Sequence, residues 1–337
     1  MPVTKKSLNP VGKSAEMKNL PKQVTVFGGS GFVGRHVVRA LAKRGYRVLV
    51  AVRRPDLAFH LQPLGDLGQI KAVQANVRVR WSVDRAVKGS HAVINLVGTF
   101  DAGGRNNFNA VQEFGARAIA EAARAEGAKL IQMSSIGADE ESASIYSQTK
   151  AAGEKAALET VKDAIVFRPS VIFGPEDSFF NRFAQMTKFS PFLPLIGGGH
   201  TRFQPVYVGD VAEAVVKAVD GELKGGSVYE LGGPENATFR ECLDLMQRII
   251  DRSRGYVSIP FFFAKAMARL TGWLPGAPIT LDQVKSLEVD NVVSEEAIRH
   301  KRTLEGMGIN PRNMEVILPS YLVRFRPQGQ FTRKGEA

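Results

Sequence analysis

Two hydrophobic periods alternate along the first half of the chain. Short runs at 24–27, 47–52, 70–75, 92–98, 129–133 and 164–167 are mostly apolar. Strands covered on both faces have that pattern. Between them lie stretches of helical period. Val33, Val37, Val38 and Leu41 fall on one face, with Arg35, Arg39, Lys43 and Arg44 mostly elsewhere. Val111, Phe114, Ala118 and Ile119 repeat the pattern, and another helix begins near Ile145 and runs through Glu154. Strands alternating with helices predict an α/β fold, a doubly wound parallel (Rossmann) sheet with helices on both faces. Beyond about residue 175 glycine and proline break the rhythm, at Pro191, Pro194, 197–199, 225–226 and 232–234. A smaller, partly helical C-terminal region is predicted there, with the segments 206–208 and 228–231 returning to the sheet. The resulting division is a flexible basic arm over 1–21, a dinucleotide-binding domain over 22–175, the smaller region over 176–317 and a basic docking tail over 318–337.

The first strand runs straight into Gly28, Gly31 and Gly34, spaced G-x-x-G-x-x-G, and then into the first helix. Gly28 supplies the positive φ of a tight turn. Gly31 leaves room for a pyrophosphate, and Gly34 lets helix and strand pack closely. Free N–H groups at the helix head, around Ser30, Gly31, Phe32, Val33 and Gly34, suit an anion. The second strand ends in Arg53 and Arg54, about twenty residues on, where such a fold reads the adenosine ribose. Two arginines there suit the 2′-phosphate of NADP(H) over NAD(H). Further cofactor-binding candidates follow the other strands: Asn76 and Val77, then Leu96, Val97 and Gly98, then Ser134 and Pro169.

Tyr146 and Lys150 form Y-x-x-x-K on the helix after the fifth strand. Four residues apart, the side chains share a face. An ammonium beside a phenol lowers the phenol pKa, and such a tyrosine exchanges a proton with a carbonyl or alcohol. Ser134 or Ser135, closing the preceding strand, would orient the substrate oxygen. Tyr146, Lys150 and Ser135 are the catalytic candidates, and Tyr146 and Lys150 also belong to the cofactor set.

Composition narrows the partners. The 337 residues carry a net charge of +12, which suits nucleic acid, an anionic membrane surface or an acidic partner. The cations are spread along the whole chain without zinc-finger spacing or an aromatic RNP-like strand, which argues against nucleic acid. The single cysteine, Cys242, excludes an internal disulfide and reads as a small buried hydrophobe. Five scattered histidines give no pair at ligand spacing, so no metal site is expected. No apolar run approaches the ~20 residues of a membrane span. Two stretches look like docking surfaces. One is the largely apolar 261–273, with Phe262, Phe263 and Trp273 and a cationic stripe of Lys265 and Arg269, a pattern that equally fits a helix buried in the core. The other is 318–327, where aromatics and arginines interleave.

The glycine turn, Tyr146 with Lys150, Arg168-Pro169 with Phe173-Gly174-Pro175, and the stretch 207–211 together resemble the extended and atypical short-chain dehydrogenase/reductases. More narrowly, the stretches 61–69, 93–98, 150–155, 173–177 with 179–183, and 204–208 resemble the nucleotide-binding accessory subunits of respiratory complex I (NADH:ubiquinone oxidoreductase) and their bacterial relatives. The resemblance covers most of residues 22–326. It implies a tightly held, mainly structural NADP(H). It also implies partners among the peripheral-arm and membrane-arm subunits of complex I, and a peripheral seat on the cytoplasmic face of the inner membrane, or the matrix face in a mitochondrion. The alternative is a free NADP-dependent short-chain reductase, epimerase or dehydratase acting on a sugar-nucleotide, sterol or isoprenoid-like substrate.

Overall fold

The apolar runs become parallel strands because most bury both faces, the edge run at 70–74 leaving Lys71 and Gln74 exposed. The structure, a computed structural model, describes residues 21–99, 108–271 and 280–327. The arm up to residue 20, Trp273 and the last ten residues lie outside them. The first half contains β1 (Gln23–Phe27), α1 (Phe32–Lys43), β2 (Arg47–Val52), β3 (Ile70–Gln74), α2 (Arg80–Val87) and β4 (Ala92–Asn95). It continues with α3 (Phe114–Ala125), β5 (Lys129–Met133), α4 (Ile145–Thr160) and β6 (Ile165–Pro169). Then come β7 (Ile172–Phe173), α5 (Phe180–Met186), β8 (Phe192–Ile196), β9 (Arg202–Phe203), β10 (Val206–Tyr207), α6 (Val208–Asp220) and β11 (Ser227–Leu231). The chain proceeds through β12 (Ala237–Thr238), α7 (Phe239–Ile249), β13 (Gly255–Ile259), α8 (Phe261–Thr271) and α9 (Leu281–Ser286). Three short helices follow, α10 (Glu295–Arg299), α11 (Met314–Ile317) and α12 (Pro319–Leu322).

The main sheet has the order β11-β6-β5-β4-β1-β2-β3, parallel throughout. On one face Val37, Val38 and Leu41 of α1 pack with Val211, Val215 and Val219 of α6. On the other, Val83 and Val87 of α2 meet Ile119 and Ala123 of α3 and Ala157 of α4. Each such fully buried Val, Leu or Ile side chain contributes ~1.5–3 kcal/mol. The helices on both faces confirm a doubly wound sheet. The stretch 61–69 tightens its far side. Gln69 donates to the carbonyls of Ala42 and Tyr46 at 2.7 and 3.0 Å and accepts from the Asp66 N–H at 2.8 Å.

Of the two segments expected to return to the sheet, 228–231 does so as β11, outside β6. The segment 206–208 does not. Val206 and Tyr207 pair only with β7, and Val208 already opens α6. A second core joins Phe180, Leu193, Leu195, Phe239, Cys242 and Met246 to Leu318, Tyr321, Leu322 and Phe325. The aromatics of 318–327 are therefore turned inward rather than offered for docking. Tyr321 donates to Asp177 Oδ2 at 2.6 Å, and Asp177 accepts the Gly174 N–H at 3.1 Å, pinning this end of the chain to the loop after β7. Cys242 is fully buried, which pushes its thiol up to about 12.

The helix α8 faces outward with its large side chains. Ala264 and Ala268 are buried against Ile196 and Val284, while Phe262, Phe263 and Leu270 are exposed. Its expected cationic stripe is divided, because Lys265 pairs with Glu288 at 2.7 Å and Arg269 stays exposed. No helix among the described residues is long and apolar enough to cross a membrane.

Candidate functional site

Parallel strands end on one edge of the sheet, and in the order β6-β5-β4-β1-β2-β3 that edge lines up the candidate residues. Pro169 closes β6, Ser134 and Ser135 follow β5, and Leu96, Val97 and Gly98 follow β4. The glycine turn follows β1, Arg53 and Arg54 follow β2, and Asn76 and Val77 follow β3. A crevice along the carboxyl ends of such strands is the general ligand position of this architecture.

The three glycines have separate steric reasons. Gly28 has φ +77°, and a Cβ there would lie 3.1 Å from the Leu96 carbonyl carbon. At Gly34 a Cβ would overlap the Gly28 carbonyl oxygen and come within 2.6 Å of Gly29 Cα. A Cβ on Gly31 would meet only the Gly28 oxygen, at 3.3 Å, so that side of the turn is open. The first N–H groups of α1 have no intrahelical acceptor, and they face the turn with their partial positive charge. The ring of Phe32 lies against Gly174, and Arg35 donates to Glu176 at 2.9 Å. The loop after β7 therefore closes on the head of α1.

Farther along the edge, Gly98 faces the lysine, and a Cβ there would be 3.2 Å from Lys150 Nζ. The Val97 N–H donates to Asn95 Oδ1 at 3.0 Å, and Asn95 in turn donates to Gln132 at 2.9 Å. Ser134 N–H donates to the Phe167 carbonyl and Ile136 N–H to the Pro169 carbonyl, locking the serine segment to the end of β6. Ser134 Oγ and Ser135 Oγ are both buried with no hydrogen-bond partner among the described residues, polar atoms that a bound ligand would satisfy. At the other end Arg53 and Arg54 are both exposed, but Arg54 is paired with Asp56 at 2.8 Å. Asn76 accepts the Arg78 N–H at 3.1 Å, and Val77 is buried, with its side chain against Gly115.

Tyr146, Ser135 and Lys150 come together as their positions predict. Tyr146 stands at the head of α4, 9% exposed, facing Ser135. Lys150 sits one turn later, its Nζ 5.8 Å from the Tyr146 ring centroid and donating to the Met133 carbonyl at 3.3 Å. The expected lowering of the tyrosine pKa is not found. Burial pushes Tyr146 up to about 12, the nearby Ser135 hydroxyl opposes it and the charge of Asp282 adds to it. Burial lowers Lys150 to about 8, against the raising charge of Glu154. The reason is geometric, since the ammonium is held by a backbone carbonyl beside the ring. A neutral tyrosine behind an open glycine turn can hold and donate a proton at Oη.

The model of the NAD dependent epimerase/dehydratase family matches residues 24–232. The chain is 36% identical to the mitochondrial NADH dehydrogenase (ubiquinone) 1 alpha subcomplex subunit 9 of Arabidopsis thaliana, over 90% of this chain and 78% of that protein. The chain belongs to the subunit 9 family, within the NAD dependent epimerase/dehydratases. It is also 37% identical to the ceramide reductase of Caulobacter vibrioides, over 57% of this chain and 59% of that protein. The solved UDP-glucose 4-epimerase of Thermus thermophilus, in complex with NAD, shares the fold at a TM-score of 0.67 and 21% identity, covering 90% of this chain and 99% of that one.

In this member of the subunit 9 family, the motifs do not foretell what three residues around the site touch. Glu176 reaches Arg35 across 141 positions. Arg168 grips the buried Glu154 of α4 through two nitrogens, at 2.9 and 2.7 Å, fixing the helix behind Lys150 to β6. Asp282 approaches the head of the same helix from α9. Arg168 and Glu176 lie in stretches that the sequence marks, 168–169 and 173–177, whereas Asp282 has no local signal.

Proposed function

We propose that this chain is an accessory subunit of respiratory complex I that holds NADP(H) as a mainly structural ligand. The similarity to the Arabidopsis subunit over nine-tenths of the chain carries this reading. The open glycine turn, the orphaned Ser134 hydroxyl and Lys150 beside Gly98 favour a dinucleotide lying along the strand ends. Gly28, Ser30, Gly31, Phe32, Val33 and Gly34 would hold its pyrophosphate, and Leu96, Val97, Gly98, Tyr146 and Lys150 its nicotinamide half. Arg53 would hold the 2′-phosphate, with Arg54 shared between that phosphate and Asp56. Peripheral-arm and membrane-arm subunits are the partners, at the cytoplasmic face of the inner membrane or the matrix face in a mitochondrion. The exposed Phe262 and Phe263 favour a seat on an apolar partner surface or among anionic headgroups, with the net +12 adding attraction.

A second reading, a free NADP-dependent reductase, is favoured by one observation: Tyr146, Ser135 and Lys150 stand in the arrangement a proton donor needs. The similarity to ceramide reductase adds a ceramide-like lipid as its substrate class. Bound nicotinamide would supply hydride chemistry; Tyr146 would hold the proton and Ser135 the substrate oxygen. One experiment separates the two. Native protein is taken from gently solubilised membranes, its companions and nucleotide are identified by mass, and Tyr146→Phe is assayed. Co-migration with NADH:quinone reductase activity, NADP(H) in the purified material and unchanged activity with Tyr146→Phe are expected. A protein free of companions, with NADPH-dependent ceramide-precursor reduction abolished by Tyr146→Phe, would overturn the first reading in favour of the second.

A further inference from the structure

The first N–H groups of any helix lack acceptors within it. In α4 they find an acceptor from 137 residues downstream. Ser144, the residue before the helix, accepts the Ser147 N–H at 3.3 Å. Its hydroxyl then donates to Asp282 Oδ2 at 2.9 Å. The same carboxylate accepts the N–H of Ile145 at 2.7 Å and that of Tyr146 at 3.2 Å. Lys285 Nζ donates to the Ala143 carbonyl at 2.9 Å, and Ser286 Oγ lies 3.3 Å from Ser144 Oγ. One face of α9 is thus spent on the start of α4. Its placement is fixed from behind. Thr280 and Gln283 form a capping box, and Val284 is buried with Ala264 and Ala268 of α8.

We propose that Asp282 is the positioning residue of the nucleotide site, setting where Tyr146 stands against Ser135 by capping α4 from the C-terminal region. The inference rests on the nucleotide reading above. Tyr146 is in the first turn and gives its own N–H to Asp282, so the carboxylate acts one bond away from its Cα. Lys150 is one turn deeper, where helical bonds already satisfy the backbone, and the Met133 carbonyl holds its Nζ. Loss of the carboxylate therefore loosens Tyr146 and spares Lys150. A negative charge is also what a helix N-terminus favours, and this one adds to burial in keeping Tyr146 protonated.

The test uses the full chain and two ligands. NADPH spans the whole site, whereas adenosine 2′,5′-bisphosphate fills only the adenosine half near Arg53. Both affinities are measured by calorimetry for the unaltered chain, Asp282→Ala, Asp282→Asn, Tyr146→Phe and the Asp282→Ala/Tyr146→Phe pair. Removing a capping side chain should weaken NADPH by roughly 3- to 20-fold and leave the bisphosphate unchanged. Amide exchange should accelerate at Ile145 and Tyr146. Asp282→Asn, which keeps one acceptor oxygen, should recover most of the NADPH affinity. In the Tyr146→Phe background the Asp282→Ala loss should shrink, because the two act through one contact. Equal weakening of both ligands, or additive losses in the pair, would make Asp282 a general structural contact and overturn the proposal. If Asp282→Ala does not fold, Asp282→Asn carries the same comparison, with a smaller loss confined to NADPH expected and an equal loss on both ligands overturning it. Unchanged NADPH affinity in a folded Asp282→Ala sinks this inference alone. Failure of the unaltered chain to bind either ligand sinks the nucleotide reading and this inference with it.

Discussion

Lys150 should destabilise the nucleotide-free protein, and replacing it by methionine should stabilise it. The side chain is 7% exposed, and burial moves its pKa from 10.5 to about 8. At about 1.4 kcal/mol per pH unit, this corresponds to roughly 3 kcal/mol against the charged form. The sign follows from proton counts. Between pH 8 and 10.5 the unfolded chain holds a proton that the folded chain has lost, so stability rises with pH across that window. Below pH 8 both states are charged and the whole cost is present. Methionine fills similar volume without charge and forfeits only the bond to the Met133 carbonyl, about 0.5–1.5 kcal/mol. Without nucleotide, Lys150→Met should therefore be more stable by on the order of 1–3 kcal/mol at pH 7. The gap should have closed by more than half at about pH 9.5. Urea unfolding of both proteins at pH 7 and 9.5 measures it, and effects of other titrating groups cancel in the difference. NADPH binding should fall in the same variant, because the lysine would no longer reach the ribose beside Gly98. A variant less stable than the parent at pH 7, or a gap indifferent to pH, would refute the reasoning.

Gly34→Ala should weaken both folding and NADPH binding, because its Cβ overlaps the Gly28 carbonyl; thermal unfolding and calorimetry read the two effects. Arg53→Ala should remove most of the preference for NADPH over NADH, about 10- to 150-fold for a charge-assisted bond of ~1.5–3 kcal/mol, and Arg54→Ala should cost less because Asp56 already holds that guanidinium. Comparable affinities for the two nucleotides in the unaltered chain would remove the basis of that expectation. Replacing the exposed Phe262 and Phe263 by serine should leave the melting temperature nearly unchanged and release the protein from membranes that high salt strips only in part; a collapse of stability would mean the helix face is covered within the fold. Tyr321→Phe leaves Asp177 with one buried hydrogen bond fewer and should lower unfolding free energy by about 1–2 kcal/mol, measured in urea.

Local pattern made the sheet legible where each strand answers for its own burial. The apolar runs from β1 to β6 declare themselves within five or six residues, and the glycine turn declares the crevice. The partners of 206–207 were not legible, because two residues carry no period and their pairing is decided by the loop after β7. The tyrosine–lysine spacing placed both side chains correctly but not their ionisation, which burial and the Met133 carbonyl govern. Asp282 gives no local sign of its role, since its partners lie 137 positions earlier. The inward turn of the last segment did have a signal. Leu318, Tyr321, Leu322 and Phe325 recur at i, i+3, i+4 and i+7, the stripe of a buried helical face, and the neighbouring arginines obscured it.

The outer place of β11 has a consequence for synthesis. Its neighbour β6 ends at Pro169, yet β11 spans Ser227–Leu231, so nearly sixty residues must emerge before that edge is covered. Until then the nascent chain presents Ile165, Val166 and Phe167 on an open strand, the kind of edge that recruits other chains. Long-range closures of this sort are slow. A chain released early, between residues 170 and 226, would carry a complete nucleotide turn and an uncovered sheet edge together. Such fragments are expected to aggregate rather than to persist as a smaller binding domain. The practical boundary of the foldable unit lies beyond Leu231, well past the point where the strand–helix rhythm of the sequence fades.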